Sequence, residues 1–112
     1  MRSGAVVTNG TDAPVEDVDP VANYYAAVTR KLAGGRVFYG DQRMSRTEAL
    51  KAYTLLNAFA AFEENVKGSI TVGKLADVTV LSKDITTVPD EEIKSAKVVY
   101  TIVGGKIVYQ RQ

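Results

Sequence analysis

One carboxylate stands out as a group that could do chemistry. Asp12 lies in Ala5-Val6-Val7-Thr8-Asn9-Gly10-Thr11-Asp12-Ala13-Pro14-Val15, which reads as a buried strand over 5–9 running into a turn. Barrel enzymes carry their catalytic groups at that end of a strand. A carboxylate there suits proton transfer or metal ligation. Its usual co-workers are missing, because the chain has no His and no Cys. That removes Ser-His-Asp catalysis for Ser45, thiolate chemistry and Cys-based zinc sites. Glu16, Asp17 and Asp19 add acidity nearby, but they lack the Asp-x-Asp-x-Asp-Gly spacing of a calcium loop, and Asp19 suits a helix cap better. Read locally, Asp12 is a turn-forming residue capping backbone amides, since one carboxylate cannot hold a catalytic metal.

Composition narrows the partners. Lys+Arg is 14 and Asp+Glu 13 in 112 residues, for a formal net charge of +1. The basic residues are scattered, so no electrostatic case exists for nucleic acid or an anionic membrane. No apolar run reaches the roughly 20 residues of a spanning helix, and the opening stretch is too short for a signal peptide. A cytoplasmic protein is expected. The hydrophobic fraction of 46% suffices for a core.

The elements around Asp12 read as follows. Asp19 caps a helix that has Pro20 at its first position and Val21, Tyr24, Tyr25, Val28 and Leu32 along one face; Gly34-Gly35 ends it. Ser45 and Glu48 form a capping box for a helix running to about Glu64, with a break near Asn57. Nothing from Ala52 to Phe62 is charged, so this helix should be covered on most sides. Short strands follow at Ser69–Val72 and Ala76–Leu81, then one helical turn at Asp90–Lys94. Lys97–Val103, Gly104-Gly105 and Lys106–Gln110 make a hairpin. Lys74 and Asp77 read as structural, and Gly104-Gly105 as turn chemistry. The fold class is α+β: two main helices and a C-terminal antiparallel half-sheet. The opening strand lacks a partner, so the set looks cut from something larger.

Four stretches carry a resemblance. Asn9-Gly10-Thr11-Asp12-Ala13-Pro14-Val15-Glu16 with Asp19-Pro20 resembles the last barrel strand and loop of amidohydrolase family 3, metal-dependent hydrolases built on a TIM barrel. Gln42 to Thr54 resembles a late helix of that family. Lys67-Gly68-Ser69-Ile70-Thr71-Val72-Gly73-Lys74-Leu75-Ala76-Asp77-Val78 is similar to its lead into a small β-sandwich, and Val103 to Tyr109 to its closing hairpin. The resemblance implies that residues 1–65 are the last barrel strand and C-terminal helices, and that 66–112 are half of a composite sandwich. It also implies that the chain is the C-terminal piece of an enzyme hydrolysing non-peptide C–N bonds with metal-activated water. In that parent Asp12 would sit beside a divalent metal, with zinc the expected ion, as base and then proton donor to the leaving nitrogen. The short chain holds no cofactor and is expected to be inactive, with a small-molecule substrate only for the parent. The alternative is a stand-alone module that self-associates through its exposed apolar helix face or strand edges.

Overall fold

The computed structural model describes residues 4–112. The first helix, α1 (Pro20–Thr29), begins as its sequence dictates. The Asp19 carboxylate accepts from the amides of Val21 and Ala22 at 2.9 and 3.4 Å. The helix stops earlier than its apolar face suggested. Arg30 turns into the left-handed region (φ 55). The buried Thr29 hydroxyl returns to the Tyr25 carbonyl at 2.8 Å. Leu32 therefore falls outside the helix and is exposed. Lys31 to Val37 instead fold into a small turn closed by one antiparallel bridge.

The capping box forms as expected at the start of α2 (Arg46–Tyr53): the Glu48 amide donates to the Ser45 hydroxyl, and the Ser45 amide to the Glu48 carboxylate. The break after it comes at Thr54, three residues before Asn57, where the backbone leaves the helical region and the Thr54 hydroxyl bonds the Leu50 carbonyl at 2.8 Å. The next helix, α3 (Leu55–Ala60), is short. The wide apolar cover expected for this stretch is absent. Ala52 and Ala58 are buried, but Phe59 is half exposed and Phe62 is 94% exposed.

Strand β1 (Val78–Leu81), helix α4 (Asp90–Ile93), strand β2 (Val98–Val103) and strand β3 (Lys106–Gln110) complete the chain. The sheet is antiparallel in the order β1-β2-β3. Gly104 and Gly105 both have positive φ (55 and 78) and close the hairpin, as their types require. Two expected strands do not form. Residues 5–9 and 69–72 are irregular, because a strand needs a neighbour's backbone and none is offered among the described residues. Ile70 and Val72 are accordingly exposed.

The core is built from Tyr24 and Val28 of α1, Ala49 of α2, Ile85, Ile93 at the end of α4, and Ala96 between α4 and β2. Arg46 ties the helical half to the sheet half. It donates to the Ile85 carbonyl, to the Val88 carbonyl at 3.0 Å and to the Asp90 carboxylate at 2.6 Å. The Tyr24 hydroxyl shares its one proton between the Arg46 carbonyl at 3.1 Å and the Ile85 carbonyl at 3.4 Å, and burial pushes its pKa up. Gly68 lets the chain cross α3 closely. A Cβ there would stand 2.8 Å from the Ala58 Cβ and 3.0 Å from the Leu55 Cα.

Candidate functional site

Asp12 sits on an exposed turn after the irregular segment 5–9. Its φ of 55 places it in the left-handed region, which Asp tolerates better than most residues. The Val15 amide donates to its carbonyl at 2.8 Å and closes the turn. The expected backbone capping by its side chain is not seen: the carboxylate bonds no described residue. Asp12 therefore presents an uncommitted acceptor to solvent.

The backbone leading to Asp12 is held by helices. The Asn9 amide donates to the Ala52 carbonyl in the last turn of α2 at 3.0 Å. The Asn57 side-chain amide donates to the Asn9 carbonyl at 3.0 Å, and that of Asn23 to the Gly10 carbonyl at 2.9 Å. Sequence reasoning missed both asparagines. The available signal was their chemistry: Asn is a poor helix former, and Asn57 interrupts an otherwise apolar run. A cleft of about 240 Å³ lies beside this segment, lined by Asn9, Asn23, Ala26, Ala27, Arg30, Gln42 and Met44.

The acidic neighbours do not converge on Asp12. Asp19 is spent as the α1 cap, and with Glu16 and Asp17 it lines an open groove against Ala22, Asn23 and Ala26 that does not include Asp12. Among the described residues no three of His, Cys, Asp or Glu stand close enough to hold a metal ion. A catalytic zinc takes three protein ligands, so this donor set does not fit one. Lys74 and Asp77 do not pair with each other. Lys74 reaches the Ser69 hydroxyl at 2.7 Å, and the Asp77 carboxylate accepts from the Gly104 amide at 2.8 Å, which pins the hairpin turn to the strand entry. Both are structural, as their place in the sequence suggested.

The fold defines a class first: helices and an open antiparallel sheet matching the C-terminal part of an amidohydrolase. An amidohydrolase from Thermotoga maritima MSB8 superposes over 98% of this chain with a TM-score of 0.75, at 21% identity and over 24% of its own length. The model of the amidohydrolase family matches residues 1–109, and the chain belongs to that family. It is 32% identical over 114 residues to the putative amidohydrolase YtcJ of Bacillus subtilis (strain 168), covering 99% of this chain and 22% of that protein. It is 36% identical to the protein LONG AFTER FAR-RED 3 of Arabidopsis thaliana, over 97% of this chain and 19% of that protein. It is 30% identical to the N-substituted formamide deformylase of Arthrobacter pascens, over 99% and 20% respectively. The chain thus spans about a fifth of the length of these relatives. Among the described residues no helix is long and apolar enough to cross a membrane.

Proposed function

We propose that this chain is the C-terminal part of a cytoplasmic hydrolase of non-peptide C–N bonds, and that Asp12 is its contribution to the reacting centre. Residues 1–65 would complete the helical and barrel half, and 66–112 half of a small sandwich. The observation that carries the reading is the family match over residues 1–109, a range that includes the segment presenting Asp12. One relative matched over that span is named as a deformylase of N-substituted formamides. An exposed carboxylate with no partner among the described residues suits a group that accepts a proton from water and returns it to a leaving nitrogen. A divalent metal such as zinc would supply the activated water. The chain's own residues do not complete its site, so residues from outside this chain would hold it.

The test is a chimaera in which this chain replaces the matching segment of the Arthrobacter deformylase. Asp12→Asn in that chimaera is expected to lower kcat/KM about 10²- to 10⁴-fold, the range for loss of a general base. Turnover within twofold of the parent chimaera would end the assignment.

A second reading, a self-associating module without catalysis, is favoured by the apolar surface at Phe59, Phe62, Ile70 and Val72. The face suits it better than the sheet edge. In β3, Val108 falls between the pairs Thr101–Tyr109 and Ile102–Ile107 where the register shifts, and such a bulge blunts edge pairing. Sedimentation of the chain should then show a dimer or larger species that Phe62→Lys dissociates; a monomer at all concentrations would exclude it.

A further inference from the structure

We propose that Asn57 and Asn23 are positioning residues for Asp12: their side-chain amides hold the segment that carries it where strand neighbours would otherwise do so. This rests on reading Asp12 as the reacting carboxylate, but its test does not require catalysis.

A strand in a parallel sheet takes its alignment from hydrogen bonds to neighbours on both sides. Residues 5–9 have no such neighbours among the described residues, and three helices supply substitutes. The carbonyls in the last turn of a helix lack a full set of intrahelical donors. In α2 one of these, Ala52, receives the Asn9 amide at 3.0 Å. Asn57, in the first half of α3, holds the Asn9 carbonyl from its Nδ2 at 3.0 Å. Asn23 of α1 holds the next carbonyl, that of Gly10, at 2.9 Å. The backbone at Asn9 is therefore fixed on both its N–H and its C=O, and Gly10 on its C=O. Two residues further on the chain turns at Asp12.

The Asp12 carboxylate bonds no described residue, so what the clamp fixes is the backbone position from which it extends. A displacement of about 1 Å at a reacting group can cost on the order of a hundredfold in rate, which makes such a clamp consequential. The amides are poorly explained otherwise. Asn57 is exposed on its helix, and Asn lowers helix stability relative to Ala. A purely local view therefore predicts that Asn57→Ala is neutral or favourable.

The test uses the 112-residue chain labelled with ¹⁵N and ¹³C. Two readouts are followed: amide hydrogen exchange at Asn9 and the carboxyl ¹³C resonance of Asp12. Asn57→Ala should speed exchange at Asn9 about tenfold, the loss expected for one hydrogen bond, and should move the Asp12 resonance. Exchange in the β2–β3 hairpin should stay unchanged. Asn57→Gln keeps an amide donor and should bring both readouts back toward the wild type. Asn23→Ala, on a different helix, should move the Gly10 and Asp12 signals in the same local manner. Unchanged exchange at Asn9 with a static Asp12 resonance overturns the proposal. So does a loss of protection that spreads equally through the hairpin in both Ala variants, since the amides would then stabilise the fold at large. If the local effects appear while Asp12→Asn leaves chimaera turnover intact, the clamp stands and the catalytic assignment falls.

Discussion

Arg46→Ala should badly damage the scaffold that carries the site, and its cost can be worked from the contacts. The guanidinium is mostly covered, at 22% side-chain exposure, and serves three acceptors on the far half of the chain. Hydrogen bonds to a charged group contribute about 1.5–3 kcal/mol each when buried. The Ile85 carbonyl keeps the Tyr24 hydroxyl at 3.4 Å after the change, so its loss is partial. The Asp90 side chain is 37% exposed, and water replaces much of that contact. The Val88 carbonyl loses its donor outright. The sum is about 3 kcal/mol, or roughly 2 M in urea midpoint at a slope near 1.5 kcal/mol/M. Arg46→Lys keeps the charge but cannot fork to several acceptors, and should recover less than half of the loss. Equilibrium urea unfolding followed by far-UV circular dichroism reads both. A midpoint shift below about 0.5 M for Ala, or a Lys variant equal to the wild type, would refute the reasoning.

Other outcomes follow from particular contacts. Gly68→Ala should cost about 3 kcal/mol through the clash with Ala58 and the positive φ together. Gly73→Ala, with φ 94 but open space around it, should cost only about 1 kcal/mol by the same unfolding measurement. The Ser45 amide and then its hydroxyl hold the Glu48 carboxyl down at about 2 from its ordinary 4.5. A depressed acid stabilises the fold above its unfolded pKa, and that contribution fades as pH falls from 4.5 toward about 2. Glu48→Gln should therefore flatten the urea midpoint across that acid window and leave its slope at neutral pH unchanged. Asp12→Asn should shift the chain's stability by no more than about 0.5 kcal/mol, because an exposed side chain without partners among the described residues is being exchanged for one that tolerates the same φ.

The parts of the fold legible in the sequence are those set by local chemistry. Asp19-Pro20, the Ser45–Glu48 box and Gly104-Gly105 each satisfy backbone groups within a few residues, and each appears where it was read. The misread strands and the misread helix face share one cause. Residues 5–9 and 69–72 have strand composition, but the backbone that would pair with them is not among the described residues. Phe59 and Phe62 have the pattern of a covered helix without the cover. Helix ends at Arg30 and Thr54 were set by single backbone conformations that periodicity does not encode. At the site, Asp12 was visible through its sequence context. Asn23 and Asn57 were not, because their role depends on contacts 13 and 48 residues away in the chain.

The central claim is that Asp12 belongs to a hydrolytic centre that these residues alone do not complete. The most direct measurement combines metal analysis of the purified 112-residue chain, after incubation with zinc, with an assay on an N-substituted formamide. The account predicts no stoichiometric zinc and no turnover. One zinc per chain, together with hydrolysis that Asp12→Asn abolishes, would contradict it.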